Sequence, residues 1–190
     1  MSVKNVMIVG VGGQGTLLAS RILGNRAIGE GYDVKVSEVH GMSQRGGSVV
    51  TYVRYGDQVF SPIIEKGGAD IILAFELLEA YRALPYLKKG GRLIVNTQQM
   101  EPMPVITGAM EYPKDIVPKL RACADVTAMD ALALAHQAGN GKAVNVVLIG
   151  RLARDTGIAR EKWIETIRET VPEKFLDVNL KAFDLGYDHE

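Results

Sequence analysis

Val6-Met-Ile-Val-Gly10-Val-Gly12-Gly13-Gln14-Gly15-Thr16-Leu17-Leu18 decides the fold. An apolar run, a glycine cluster and a second apolar segment read as a buried strand, a tight turn and the start of a helix. The spacing Gly10-x-Gly12-x-x-Gly15 is the fingerprint of dinucleotide-type folds, and it stands between strand and helix where such a fold needs it. Gly10 permits the turn off the strand. Gly12 lets an anion approach the backbone, and Gly15 lets the helix pack close on the sheet. Unpaired N–H groups at the helix start favour a phosphate there. The same glycines also serve a turn that only packs strand against helix, so phosphate binding by Gly10, Gly12, Gly13, Gln14 and Gly15 and a purely structural turn both stay open.

Working outward, Leu17 to Ile28 places Leu18, Ala19, Ile22, Leu23 and Ala27 at helical spacing, and Gly29-Glu30-Gly31 ends it. Asp33 to Glu38 alternates as a second strand. Glu38 follows Gly15 by 23 residues, near the interval of about 20 at which an acidic residue would hold a nucleotide's ribose. The segment Val39-His40-Gly41-Met42-Ser43-Gln44-Arg45-Gly46-Gly47-Ser48 then follows a strand's carboxyl end, where open α/β sheets place ligands. An Arg beside two glycines lets a guanidinium and backbone N–H groups converge on one anion. A glycine-rich turn with a solvated Arg is the plainer alternative, and a hydrogen-bonded structural role is the plainer one for His40.

Ser48 to Tyr55 reads as a strand, Gly56-Asp57 as a turn, and Gln58-Val59-Phe60 as a returning hairpin arm. Asp70 to Phe75 is a continuous apolar run, as in a strand buried on both faces. A helix over Glu76 to Leu84 follows, with Glu76 and Glu79 in its early turns where the dipole favours acid, and Pro85 closes it. Arg92 to Asn96 is the next core strand. Thr97 to Pro113, with Pro102, Pro104, Gly108 and Pro113, reads as a long loop suited to a lid or an interface. Lys114 to Ala124 reads as a short helix despite Pro118, and Val126 to Met129 as a brief strand. Asp130 caps a helix to Ala138. Helices over Val144 to Thr156, Arg160 to Val171 and Glu173 to Leu185 complete the chain, with Gly157 and Pro172 as breaks. Trp163, Ile164 and Ile167 form one apolar face; Phe175, Leu176, Leu180 and Phe183 form another. The fold class is α/β: a Rossmann-like, mostly parallel sheet with helices on both faces, a β-hairpin insertion and a helical C-terminal segment. Residues 1–190 read as a single domain.

Composition narrows the function. Lys and Arg number 22, Asp and Glu number 22, and the net charge is zero, which argues against a general nucleic-acid binder. Apolar residues make up 47%, enough for a large core. The single cysteine, Cys123, excludes a disulfide within the chain and suits a cytoplasmic protein. It also falls short of the four thiolates an iron–sulfur cluster usually takes. His40, His136 and His189 share no metal-ligand spacing. The first apolar run, cut by glycines, reads as a strand rather than a signal peptide, and no run approaches the roughly 20 residues of a membrane span.

The chain resembles the gamma-type subunits of the 2-oxoacid:ferredoxin oxidoreductases. The resemblance rests on Gly10-Val-Gly-Gly-Gln-Gly15, Glu38-Val-His-Gly-Met-Ser-Gln-Arg-Gly-Gly-Ser48, Ser61-Pro62, Ala69-Asp70 to Phe75-Glu76, Asn96-Thr97 and Asn179-Leu-Lys-Ala-Phe-Asp-Leu-Gly186. His-Gly-Met-Ser-Gln-Arg-Gly-Gly is the most specific of these. Pyruvate- and 2-oxoglutarate-type members carry a Tyr-Gly-Pro-Glu-type lead into Arg-Gly-Gly, so the string points to the indolepyruvate branch. The resemblance implies a non-cluster subunit of an enzyme that turns a 2-oxoacid and coenzyme A into acyl-CoA and CO2, passing two electrons to ferredoxin. It further implies that thiamine diphosphate, magnesium and [4Fe-4S] clusters sit on a larger partner subunit, with no cofactor held tightly by this chain alone and no catalytic residue in it. Arg45, Gly46 and Gly47 carry over as the loop facing the partner's active site, with His40 and Gln44 as lesser candidates. Two rival functions stand beside this one: a stand-alone NAD(P)-binding oxidoreductase resting on Gly10, Gly12, Gly15 and Glu38, and a non-catalytic scaffold.

Overall fold

The computed structural model describes residues 2–41 and 47–189. The first strand, β1 (Lys4–Val11), enters the core with Val6, Ile8 and Met7, Val9 pointing to opposite faces, as a strand's two-residue period requires. After it come α1 (Thr16–Gly29), β2 (Asp33–His40), β3 (Ser48–Gly56), β4 (Ala69–Ala74), α2 (Leu77–Ala83), β5 (Leu87–Asn96), α3 (Met103–Ile106), α4 (Ile116–Arg121), β6 (Asp125–Met129), α5 (Ala131–Ala138), α6 (Val144–Arg154), α7 (Arg160–Thr170) and α8 (Leu176–Tyr187).

The six strands form one sheet in the order β2-β3-β1-β4-β5-β6. The ladders β1–β4, β4–β5 and β5–β6 are parallel; β1–β3 and β2–β3 are antiparallel. The α/β class, the mostly parallel sheet and the helical C-terminal segment agree with the sequence. On one face α1, α5, α6, α7 and α8 pack over Val6, Ile8, Leu73, Phe75 and Ile94, with Trp163 and Phe183 fully buried. On the other, α2 and α4 cover Met7, Val9, Ile72, Leu93 and Val95.

Three expectations change. The hairpin is β2–β3, not β3 with residues 58–60. Both edges of β3 are occupied by β1 and β2, so Gln58-Val59-Phe60 has no ladder to join. That segment instead wraps the sheet's end: the Val59 N–H donates to Asp33 at 2.8 Å, and Arg54 donates to the carbonyls of Ser61 and Ile63. The stretch 97–113 is not an open loop throughout, because it contains α3. Phe175 is exposed at the turn before α8, with the Lys174 ammonium over its ring, while Phe183 alone of that group is fully buried. Pro118 stays in α4 because it stands in the first turn, where a missing N–H costs no helical bond.

Candidate functional site at the carboxyl edge of the sheet

The chain leaves β1 by α1 toward β2 and β3 on one side, while β4 lies on β1's other side. The carboxyl ends of β1 and β4 lie at this reversal of direction, the usual ligand position in open α/β sheets. The glycine turn sits there. Gly15 has φ +86° and stands as the N-cap of α1, and a Cβ on it would lie 2.6 Å from Asn145 Nδ2 of α6. Asn145 also donates to the Gly15 carbonyl at 3.3 Å. A Cβ on Gly10 would meet Phe75 Cβ and Gln14 Oε1, each at 2.9 Å.

Gln14 braces the turn from inside. Its Oε1 accepts from the Val11 N–H at 2.8 Å, and its Nε2 donates to the Phe75 carbonyl at 3.1 Å and to Gln98 at 3.3 Å. The turn is thereby tied to the ends of β4 and β5. Asn96, fully buried at the end of β5, donates to the same Phe75 carbonyl and accepts from the Ala131 N–H at the start of α5.

The second motif reaches the same place. Antiparallel register sets Ser48, the first residue of β3, opposite Val11, the last of β1. The Gly12 N–H donates to the Gly47 carbonyl at 3.0 Å, and the Gly41 N–H donates to the Ser48 carbonyl at 3.2 Å. Gly47, the last glycine of the second motif, therefore stands directly against Gly12 of the first. Gln44, Arg45 and Gly46 lie outside the described residues. His40 is exposed at the end of β2, its Nε2 2.8 Å from Glu38 Oε1. Glu38 also accepts from the Thr51 hydroxyl at 2.9 Å.

Two buried carboxylates complete the edge, and sequence reasoning gave them only a helix-dipole role. Glu76, the N-cap of α2, is 1% exposed and accepts from the Glu79 N–H at 2.9 Å, the Met100 N–H at 3.0 Å and the Tyr112 hydroxyl at 2.5 Å. It thus holds residues 100 and 112, which flank α3, against α2. Burial, with the Glu76 carboxylate beside it, holds the Tyr112 phenol well above its ordinary range. Glu79, 4% exposed, accepts from the Ser48 hydroxyl at 2.5 Å and from Arg82 at 2.6 Å. The signal for both was available: two acids three residues apart, directly after a strand with no other polar residue near its end.

An iron–sulfur cluster usually takes four thiolates, which these residues do not supply. The whole sequence has one cysteine, Cys123, and it is exposed. Among the described residues no three His, Cys, Asp or Glu side chains stand together as metal ligands. No described helix is long and apolar enough to cross a membrane.

The edge and the sheet define an α/β protein of Rossmann-like build whose glycine turn has been braced by its own side chains. The chain belongs to the pyruvate ferredoxin/flavodoxin oxidoreductase family, which it matches over residues 5–189. It is 48% identical to indolepyruvate oxidoreductase subunit IorB of Pyrococcus horikoshii, over 98% of this chain and 95% of that one. It is 41% identical to the subunit of the same name in Archaeoglobus fulgidus, over 97% and 94%. Among solved structures it is similar to the gamma subunit of keto/oxoacid ferredoxin oxidoreductase from Geobacter sulfurreducens, at 26% identity and a TM-score of 0.73, covering 97% of this chain and 96% of that chain.

Proposed function

We propose that this chain is the gamma-type subunit of a cytoplasmic, ferredoxin-dependent oxidoreductase for indolepyruvate and related arylpyruvates. Residues 1–190 act as one unit that completes the coenzyme A side of a site whose thiamine diphosphate, magnesium and [4Fe-4S] clusters belong to a larger partner subunit. The partner's groups supply the decarboxylation and the transfer of two electrons to ferredoxin. This chain supplies position and charge. Gly10, Gly12, Gly13, Gln14 and Gly15 are the residues of its half-site on the first motif and Arg45, Gly46 and Gly47 those on the second, with Arg45 serving to contact a phosphate of coenzyme A.

The observation that carries the reading is the hydrogen bond from Gly12 N–H to the Gly47 carbonyl, 3.0 Å, at the carboxyl edge. It brings Gly47, the residue next to the Arg45-Gly46 pair in sequence, against the first glycine motif. The 48% identity to a subunit named for indolepyruvate supports the substrate class.

Reconstitution tests it. The larger, cysteine-rich subunit is assayed for CoA-dependent dye reduction with an arylpyruvate, with and without this chain. Activity should require both. Arg45→Ala should raise the KM for coenzyme A by about tenfold, the size of one charge-assisted hydrogen bond, with melting temperature unchanged. Full activity of the partner alone, or an unchanged KM in Arg45→Ala, overturns the reading.

A further inference from the structure

We infer that Glu79 is a positioning residue: through the Ser48 hydroxyl it sets where the Gly47 corner stands against the glycine turn. The inference rests on the proposed role of that corner on the coenzyme A side. Glu79 comes from the first turn of α2, beneath the end of β4, and belongs to neither glycine motif. Both of its oxygens are engaged. Oε2 accepts from Ser48 Oγ at 2.5 Å, and Oε1 accepts from Arg82 Nη1 at 2.6 Å. A carboxylate only 4% exposed is costly to bury unless paired; Arg82, half exposed, supplies the counter-charge while leaving Oε2 for Ser48.

Ser48 is thus fixed from three directions. The β1 ladder holds it opposite Val11, the Gly41 N–H donates to its carbonyl, and Glu79 takes its hydroxyl. The residue before it, Gly47, holds the Gly12 N–H on its carbonyl. A short, charge-assisted bond is stiff, and it acts here one residue away from the junction of the two motifs. Displacing such a corner by about 1 Å is enough to cost binding or rate at a site it helps to form.

The test uses the assembled complex. In Ser48→Ala, hydrogen exchange at the Gly12 amide should quicken by about threefold to tenfold, the worth of one hydrogen bond, and the KM for coenzyme A should rise by a similar factor with kcat within about twofold. Ser48→Thr, which keeps the hydroxyl, should restore both. Exchange at Gly12 unchanged in Ser48→Ala overturns the positioning role, whatever the corner does. Faster exchange with an unchanged KM, alongside a silent Arg45→Ala, overturns instead the coenzyme A reading on which the inference rests.

Discussion

Glu76 places three hydrogen bonds on one carboxylate at the start of α2. Its Tyr112 partner gives a pH dependence. The folded state keeps the Tyr112 proton above the phenol's ordinary value of 10.0, where the unfolded chain releases it. Tyr55, buried under Tyr32 and near Asp70, is likewise pushed up to about 12. Their stabilisation is complete below pH 10 and is lost as pH rises beyond it. The melting temperature should therefore fall steeply above about pH 10, and Tyr112→Phe should flatten that fall while lowering stability near neutrality by about 1 kcal/mol. Thermal melts from pH 7 to 11 check this; parallel profiles for the two proteins would remove Tyr112 from the account. The cap at Asp130, bonded to the Ala133 N–H at 2.9 Å, was legible because an N-cap is a local event. The partners of Glu76 were not, because Tyr112 is brought to it only by the path of the chain through α3.

At the scale of elements, α6 and α8 approach until backbone meets backbone. A Cβ on Gly186 would stand 1.9 Å from the Val147 carbonyl oxygen, and one on Gly150 would stand 2.2 Å from that of Phe183. Neither carbonyl belongs to a side chain that can swing aside. Gly186→Ala should cost about 3 kcal/mol, a drop of roughly 10 °C in melting temperature. Calorimetry of the purified chain reads it, and a change under about 2 °C would mean that the helices separate cheaply. The helices themselves were legible from periodicity: Trp163 and Ile167 are both fully buried, as their spacing requires. The fate of residues 58–60 was not. A short β-prone run carries no mark showing that the strand beside it already has two neighbours.

For the whole molecule, strand order bears on which nucleotide chemistry the edge can support. A ribose-holding acid belongs on the strand beside β1, and here that place is taken by β3. Glu38 on β2 is two strand spacings from β1, about 9.5 Å, and its carboxylate is engaged by Thr51 and His40. Titration of the isolated chain with NAD(H) and NADP(H) should show no binding tighter than about 1 mM. Saturable micromolar binding would restore the stand-alone oxidoreductase. The fingerprint Gly10-x-Gly12-x-x-Gly15 gave the strand, turn and helix correctly, since those depend on neighbouring residues. It said nothing of what lies beside β1, because the glycine spacing is the same whether the next strand in space is β2 or β3.

The pairing of β1 with β3 also makes the site sensitive to strand length. Side chains along β3 alternate between the two faces, so a single residue gained or lost between Ser48 and Gly56 would turn Val53 out of the core or carry Ser48 away from Val11 and Glu79. Connecting loops generally tolerate changes of length. This strand has no such freedom, because its length is the ruler that brings one glycine motif to the other.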